Sequence, residues 1–223
     1  MNKAIFYKEY LKLRVPLIIC LLGGVLLAVY AILRINRVVA THGVEHVWLI
    51  MLMKDQLFVD SVKYFPPLCG LVLAIAQMRP EMQAKRLKLT LHLPVSNNRV
   101  ILTMLSAGFA ACLLVFALQF MTIILYYSGI IAPEMTWRVA LSMLPWYIAG
   151  LTAYCFTCAV CLEGRRMRRV VLGLCGFALV SVFYFQDSPE AYNGMLLWAL
   201  FAALLLPLLS IVSVNRFKQG LTD

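Results

Sequence analysis

The sequence predicts an all-α polytopic membrane protein, and three observations carry that prediction. Six apolar runs fill most of the 223 residues: Val15–Leu33, Val62–Gln77, Val100–Tyr127, Ala140–Leu162, Val170–Phe185 and Met195–Val214. Apolar residues make up 63% of the chain and charged residues 13%, against roughly 45–50% and ~25% in soluble domains. Basic residues also segregate by loop, as they do around membrane spans.

A spanning helix needs ~20 mostly apolar residues at 1.5 Å rise each. The first, third, fourth and sixth runs reach that length. The second and fifth hold 16 residues each, so they borrow flanking residues or cross a thinned bilayer. Hydrocarbon offers no partner for backbone polar groups, so each run must close its own hydrogen bonds as a helix. Residues 1–223 read as one membrane domain: an interfacial helix over 1–14, then six spans over 15–214. Little chain is left for a soluble catalytic domain.

With the N-terminus placed in the cytoplasm, fifteen of the twenty Lys and Arg residues fall on the inner side. Only Arg34, Arg37, Lys54, Lys63 and Arg138 fall outside. The positive-inside rule then puts both termini in the cytoplasm. The formal charge of +10 belongs to loops facing anionic headgroups rather than to a soluble nucleic-acid surface. No nucleic-acid partner is expected, while membrane lipids are.

Along Asn2–Arg14, Ile5, Phe6, Tyr10 and Leu13 fall near helical spacing, with Lys3, Lys8, Glu9 and Lys12 between them. This predicts an amphipathic helix lying in the inner headgroup layer. Pro16 is expected to break it from the first span. The basic stretch before an apolar run imitates a signal peptide. The 19-residue run is too long for one and no cleavage site follows, so it reads as a retained first helix.

The outer stretch Arg34–Ser61 is the longest loop. Its Val47–Met53 part is apolar and extends a span or lies in the interface. His42-Gly43-Val44-Glu45-His46 matches the H-x-x-E-H pattern of a zinc peptidase family. Gly43 weakens the helix that such a site needs, and no third ligand stands nearby. The match is read as accidental, and no stoichiometric zinc is expected. Seven cysteines sit inside apolar runs. Cys155-x-x-Cys158-x-x-Cys161 has metal-like spacing, but small residues at a helix–helix contact account for it. Few ionisable residues lie in the spans, which speaks against a carboxylate relay or an intramembrane protease. Gln119, Ser106 and Ser142 read as interhelical contacts.

The inner stretch Arg79–Arg99 is the chemically distinctive one. Pro80 and Pro94 bracket a leucine-rich, basic segment, with Leu87, Leu91 and Pro94 on one face and Lys85, Lys88 and His92 nearer the other. A short cytoplasmic helix of this kind can press on a soluble partner. Ser96 or Asn97 is placed to cap the next long helix. This segment, 80–97, resembles the coupling region of type-2 ABC-transporter permeases. Glu81, Lys85, Arg86, Leu89, Thr90, Leu91, Leu93, Pro94, Val95 and Ser96 stand where that family has a glutamate, a basic cluster, a leucine-rich stretch and Pro-(Ile/Val)-(Ser/Thr). Arg86-Leu87 stands where the family often has Gly-Thr, and Thr103 where it often has lysine.

The resemblance covers nearly the whole chain. It implies the membrane subunit of an ABC exporter in a bacterial cytoplasmic (inner) membrane, with Glu81, Lys85, Arg86, Leu89, Leu91, Pro94 and Ser96 at the ATPase contact. No G-x-x-x-x-G-K-[ST] phosphate loop occurs in the chain, which alone therefore is not expected to be an enzyme. ATP and Mg would be bound by a separate ATPase subunit, with no cofactor in this chain. A second permease copy or a homologous permease would complete the pathway. Arg165, Arg166, Arg168 and Arg169 form a second basic loop, which docks the ATPase or anionic lipid, or simply fixes topology. Two other readings stand beside the exporter: a non-transporting membrane anchor or signalling partner of an ATPase, and a metal-dependent enzyme built on His42, Glu45 and His46.

Overall fold

The computed structural model describes residues 2–82, 97–186 and 188–218, and the side chains of these except 2, 3, 97 and 215–218. Among them all regular structure is helical: α1 (Asn2–Met53), α2 (Phe65–Met82), α3 (Asn97–Ser128), α4 (Pro133–Leu162), α5 (Arg166–Val182), α6 (Leu196–Leu205) and α7 (Pro207–Lys218), with 3-10 turns at Asp60–Val62 and Asn193–Met195. Five helical stretches are long and apolar enough to cross a membrane: Ala4–Met53, Asp60–Met82, Asn98–Ser128, Pro133–Leu162 and Asn193–Val214. Several apolar helices of this length mark an integral membrane protein. At 17 residues, α5 rises ~26 Å, short of the ~30 Å hydrocarbon core.

The N-terminal segment differs from its expected form. No break occurs at Pro16, which lies inside a continuous helix. In an apolar setting neighbouring groups can re-satisfy the carbonyl that proline leaves unpaired. The interfacial helix and the first span are therefore one rod of ~60 Å up to Gly43. The interruption comes at Gly43, whose φ of 81° and ψ of 167° suit a residue without Cβ. Past it, Val47 and Met51 are buried. The apolar Val47–Met53 part is thus helical and packed on the bundle.

The four apolar residues of the N-terminal segment divide between two sides of the helix. Ile5, Glu9 and Leu13, spaced four apart, are buried, whereas Phe6 and Tyr10 are about half exposed. In a membrane protein the outward face is apolar, so hydrophobicity alone does not mark the inward one.

α4 sits at the centre: 78% of its apolar window is buried, against 22% for α1 and 11% for the last span. α1 and α2 pack on α3, α2 lies along α4, and α5, α6 and α7 flank α4. Without a hydrophobic force between helices in lipid, close packing of small residues must hold them. Gly70 on α2 faces the Gly150 carbonyl of α4 so closely that a Cβ on Gly70 would overlap it. A Cβ on Gly150 would lie 2.7 Å from the Phe116 ring and 2.8 Å from the Pro66 carbonyl oxygen. The two backbones touch there. All seven cysteines are free, and Cys155 and Cys158 are buried within α4.

Candidate functional site

The end of the bundle that carries the N-terminus holds a buried polar cluster built from α1, α2, α3 and α4. Gln77 and Glu81 lie one turn apart on α2, and Glu9 projects from α1; all three are 0% exposed. The Lys12 ammonium donates to Glu9 Oε1 at 2.6 Å and also to Glu81 Oε1. The Lys8 ammonium reaches the same Glu81 oxygen at 2.8 Å. Two carboxylates and two ammonium groups thus neutralise one another. The balance matters because an unpaired ion at such depth costs several kcal/mol.

Gln77 extends the cluster into the bundle. Its amide nitrogen donates to Glu9 Oε2 at 2.9 Å and to the Met104 carbonyl at 2.6 Å. Its amide oxygen accepts from the Tyr154 hydroxyl at 2.7 Å, with the Leu105 carbonyl 3.1 Å from that hydroxyl. Gln77 therefore spends both N–H groups and its oxygen on three different helices. Gly108 makes this possible, since a Cβ there would overlap Gln77 Oε1 and the Tyr154 hydroxyl. Among the described residues, the arrangement holds no nucleophile poised against a base. Its chemistry is that of a lock: it fixes the end of α2, where the chain enters residues 83–96, to α1, α3 and α4.

Glu81 was expected on an exposed inner segment. The structure instead places it fully buried at the root of that segment, paired with Lys8 and Lys12. Lys85, Arg86, Leu89, Leu91, Pro94 and Ser96 lie outside the described residues, and α3 begins at Asn97. Lys8, Glu9, Lys12, Gln77 and Tyr154 had not been singled out as site residues. The i, i+4, i+8 register of Ile5, Glu9 and Leu13 was the available signal for Glu9.

The second basic loop is partly accounted for by local bonds. The Arg169 guanidinium donates to the Glu163 carbonyl at 2.8 and 3.3 Å, beyond the last turn of α4, where a cation is favoured. The Glu163 carboxylate, itself buried, accepts from Ser213 Oγ of α7 at 3.0 Å. Arg165 and Arg168 are partly buried and Arg166 is exposed. Gln119 does act between helices, donating to the Gly24 carbonyl of α1 at 3.2 Å. Ser106 instead donates within its own helix, to the Thr103 carbonyl, while Ser142 donates to the Arg138 carbonyl of its own helix and accepts from the Glu190 backbone N–H at 3.2 Å.

The His42 and His46 rings lie 4.9 Å apart, both exposed beside the break at Gly43. Among the described residues no group of three or more His, Cys, Asp or Glu is arranged to hold a metal.

The fold and the cluster define a class, an all-helical integral membrane protein whose spans are pinned at one end by buried charge. Compared with protein-family models, curated proteins and solved structures, the chain has no significant match.

Proposed function

We propose that the chain is the permease subunit of an ABC exporter in the bacterial cytoplasmic membrane, with six spans and both termini cytoplasmic. ATP and Mg would be handled by a partner ATPase. A second copy or a homologous permease would complete the translocation path. The sixth span in this count is α5, whose deficit of a few ångströms a locally thinned bilayer absorbs at modest cost.

The observation that carries the reading is the attachment of Glu81. The family-like segment, 80–97, includes Glu81 in the last turn of α2, which ends at Met82, and α2 is tied there to α1 through Lys8 and Lys12. A push by a soluble partner on that segment would be passed to α1, α3 and α4 rather than dissipated in a loop. Chains of packed side chains, hydrogen bonds and ion pairs can carry such coupling, and the ion pairs together with Gln77 and Tyr154 form one such chain.

The first test is purification of the tagged chain from its native membrane. A P-loop ATPase should accompany it, and ATP should drive loss of substrate from the inner side of reconstituted vesicles. Pro94→Ala should lower the transport-linked ATPase rate about 5-fold or more, the lower end of site-to-site coupling, with protein abundance near normal. Full coupled activity in that variant would remove the coupling assignment.

Orientation has its own test. A cysteine placed at Lys85 in a cysteine-free background should resist an impermeant thiol reagent added outside, and react once the membrane is opened. Rapid labelling from outside would reverse the topology.

A further inference from the structure

Where α4 ends and α5 begins, a groove of about 310 Å³ lies between α5 and α7. Met167, Val171, Leu172, Leu209 and Val212 form its apolar walls, and Glu163, Arg168 and Ser213 line it too. From Met167 to Leu172 it runs ~8 Å along α5, room for a glycerol backbone and the first methylenes of an acyl chain. Met167, Val171 and Val212 are about half exposed or more, so the groove is open along its side. Leu209 and Val212 belong to the last membrane-length stretch, Asn193–Val214, so that side faces the bilayer.

Charge at the mouth of the groove is one-sided. Arg165 is the N-cap residue of α5, and Arg166, Arg168 and Arg169 follow at once. The first turn holds no acidic residue, and Arg165 makes no side-chain capping bond. A helix start carries a partial positive charge and favours anions, and four arginines add to it. Glu163 is the one carboxylate lining the groove. It is buried and already accepts from Ser213 Oγ at 3.0 Å and from the Arg165 N–H at 3.4 Å. Arg165 Nε is buried with no hydrogen-bond partner among the described residues. A buried donor without an acceptor costs free energy. The positive-inside rule asks only for basic loops, and does not call for an arginine on the wall of a groove.

We propose that this groove holds an anionic glycerophospholipid. Its phosphate meets the Arg168 guanidinium at the start of α5, its glycerol and first methylenes lie between α5 and α7, and the rest of its chains stay in the bilayer. A guanidinium pairs with phosphate through two parallel hydrogen bonds. An amine-bearing headgroup would bring a cation against four arginines, so a lipid of net negative charge is preferred. An acidic loop of a soluble partner fits the charge but not the apolar walls, two of which lie in a membrane-length stretch.

The inference needs the membrane assignment and not the exporter reading, and no ATPase enters its test. The purified chain is placed in nanodiscs of equimolar phosphatidylglycerol and phosphatidylethanolamine, re-extracted, and weighed by native mass spectrometry. One retained lipid is expected, with phosphatidylglycerol favoured about tenfold, as one or two arginines beside a unit charge can supply. Arg168→Gln should bring the preference close to one. Arg166→Gln removes the same charge from an exposed position off the groove wall, and should change the preference less than about twofold, since solvent and salt screen it. Val212→Trp should fill the groove and abolish retention. Excess inorganic phosphate should leave the lipid in place. No retained lipid, equal retention of the two lipids, or unchanged retention in Val212→Trp overturns the site. Equal losses in Arg166→Gln and Arg168→Gln also overturn it, since they mean diffuse attraction by the loop. Displacement by inorganic phosphate does so too, by making this an ion site. So does efficient cross-linking between two copies through a cysteine at Val212, which would put protein in the groove. If Val212→Trp does not fold, the arginine pair decides alone: a preference that survives Arg168→Gln overturns the proposal.

Discussion

Gly150→Leu should leave almost no folded protein. α2 and α4 touch through backbone at Gly70 and Gly150, and the atoms a new side chain meets are Pro66 C and O, 2.9 and 2.8 Å from the added Cβ, and the Phe116 ring at 2.7 Å. A flexible side chain could give way, but a helix backbone cannot without moving the helix. Extra methylenes in a packed interior typically cost ~1–3 kcal/mol, and separating α2 from α4 would also open the contacts around the central helix. Gly150→Ala should therefore cost about 1–3 kcal/mol, and leucine more than a marginally stable fold can carry. Gly173→Ala is the control. It too lies mid-helix, but nothing surrounds its would-be Cβ, so the usual advantage of alanine over glycine in a helix, up to ~1 kcal/mol, should show. Thermal stability in detergent, followed by fluorescence-detected gel filtration, measures all three. A monodisperse Gly150→Leu protein with wild-type melting would mean that the helices do not approach at these glycines.

What could be read in advance follows from how far apart the determining residues lie. The long apolar helices were legible because hydropathy over ~20 neighbouring residues states the spanning requirement directly. The weakness of the helix at Gly43 was legible for the same local reason, and the break falls there. Pro16 shows the limit of local rules. Its missing N–H argues for a break in water, yet the helix runs through it. The inward face of α1 was not legible, because Ile5 and Leu13 are buried while the equally apolar Phe6 and Tyr10 are exposed. Least visible was the cluster around Gln77, whose partners Glu9 and Tyr154 are 68 and 77 positions away. Nothing local distinguishes Gln77 from any polar residue at the edge of a span. Only the packing of four helices, with Gly108 leaving room, gives it a purpose.

Glu81→Ala should lower the yield of folded protein sharply, for reasons of stability before any question of coupling arises. A glutamate on an exposed segment would be dispensable to folding. This one has no exposed surface and faces Lys8 and Lys12. Removing one partner of a buried pair typically costs about 3–5 kcal/mol, because the remaining charge is left without compensation. Lys12 keeps Glu9 at 2.6 Å, but one carboxylate then serves a site built with two ammonium groups, and the cluster carries a net positive charge. Glu81→Gln keeps the shape and can still accept a hydrogen bond, so the charge and the volume can be separated. If charge balance is what matters, Gln should be nearly as harmful as Ala. Adding Lys8→Met to Glu81→Gln should then recover part of the loss, because Glu9 and Lys12 remain as a neutral pair. Lys8 is the ammonium to remove because it is the more exposed of the two, at 41% against 16%. Melting temperature and extractable yield of the variants give the answer. Wild-type stability in both Glu81→Ala and Glu81→Gln would mean that Glu81 does not hold α1 to α2, and the mechanical link from segment 83–96 into the bundle would lose its anchor.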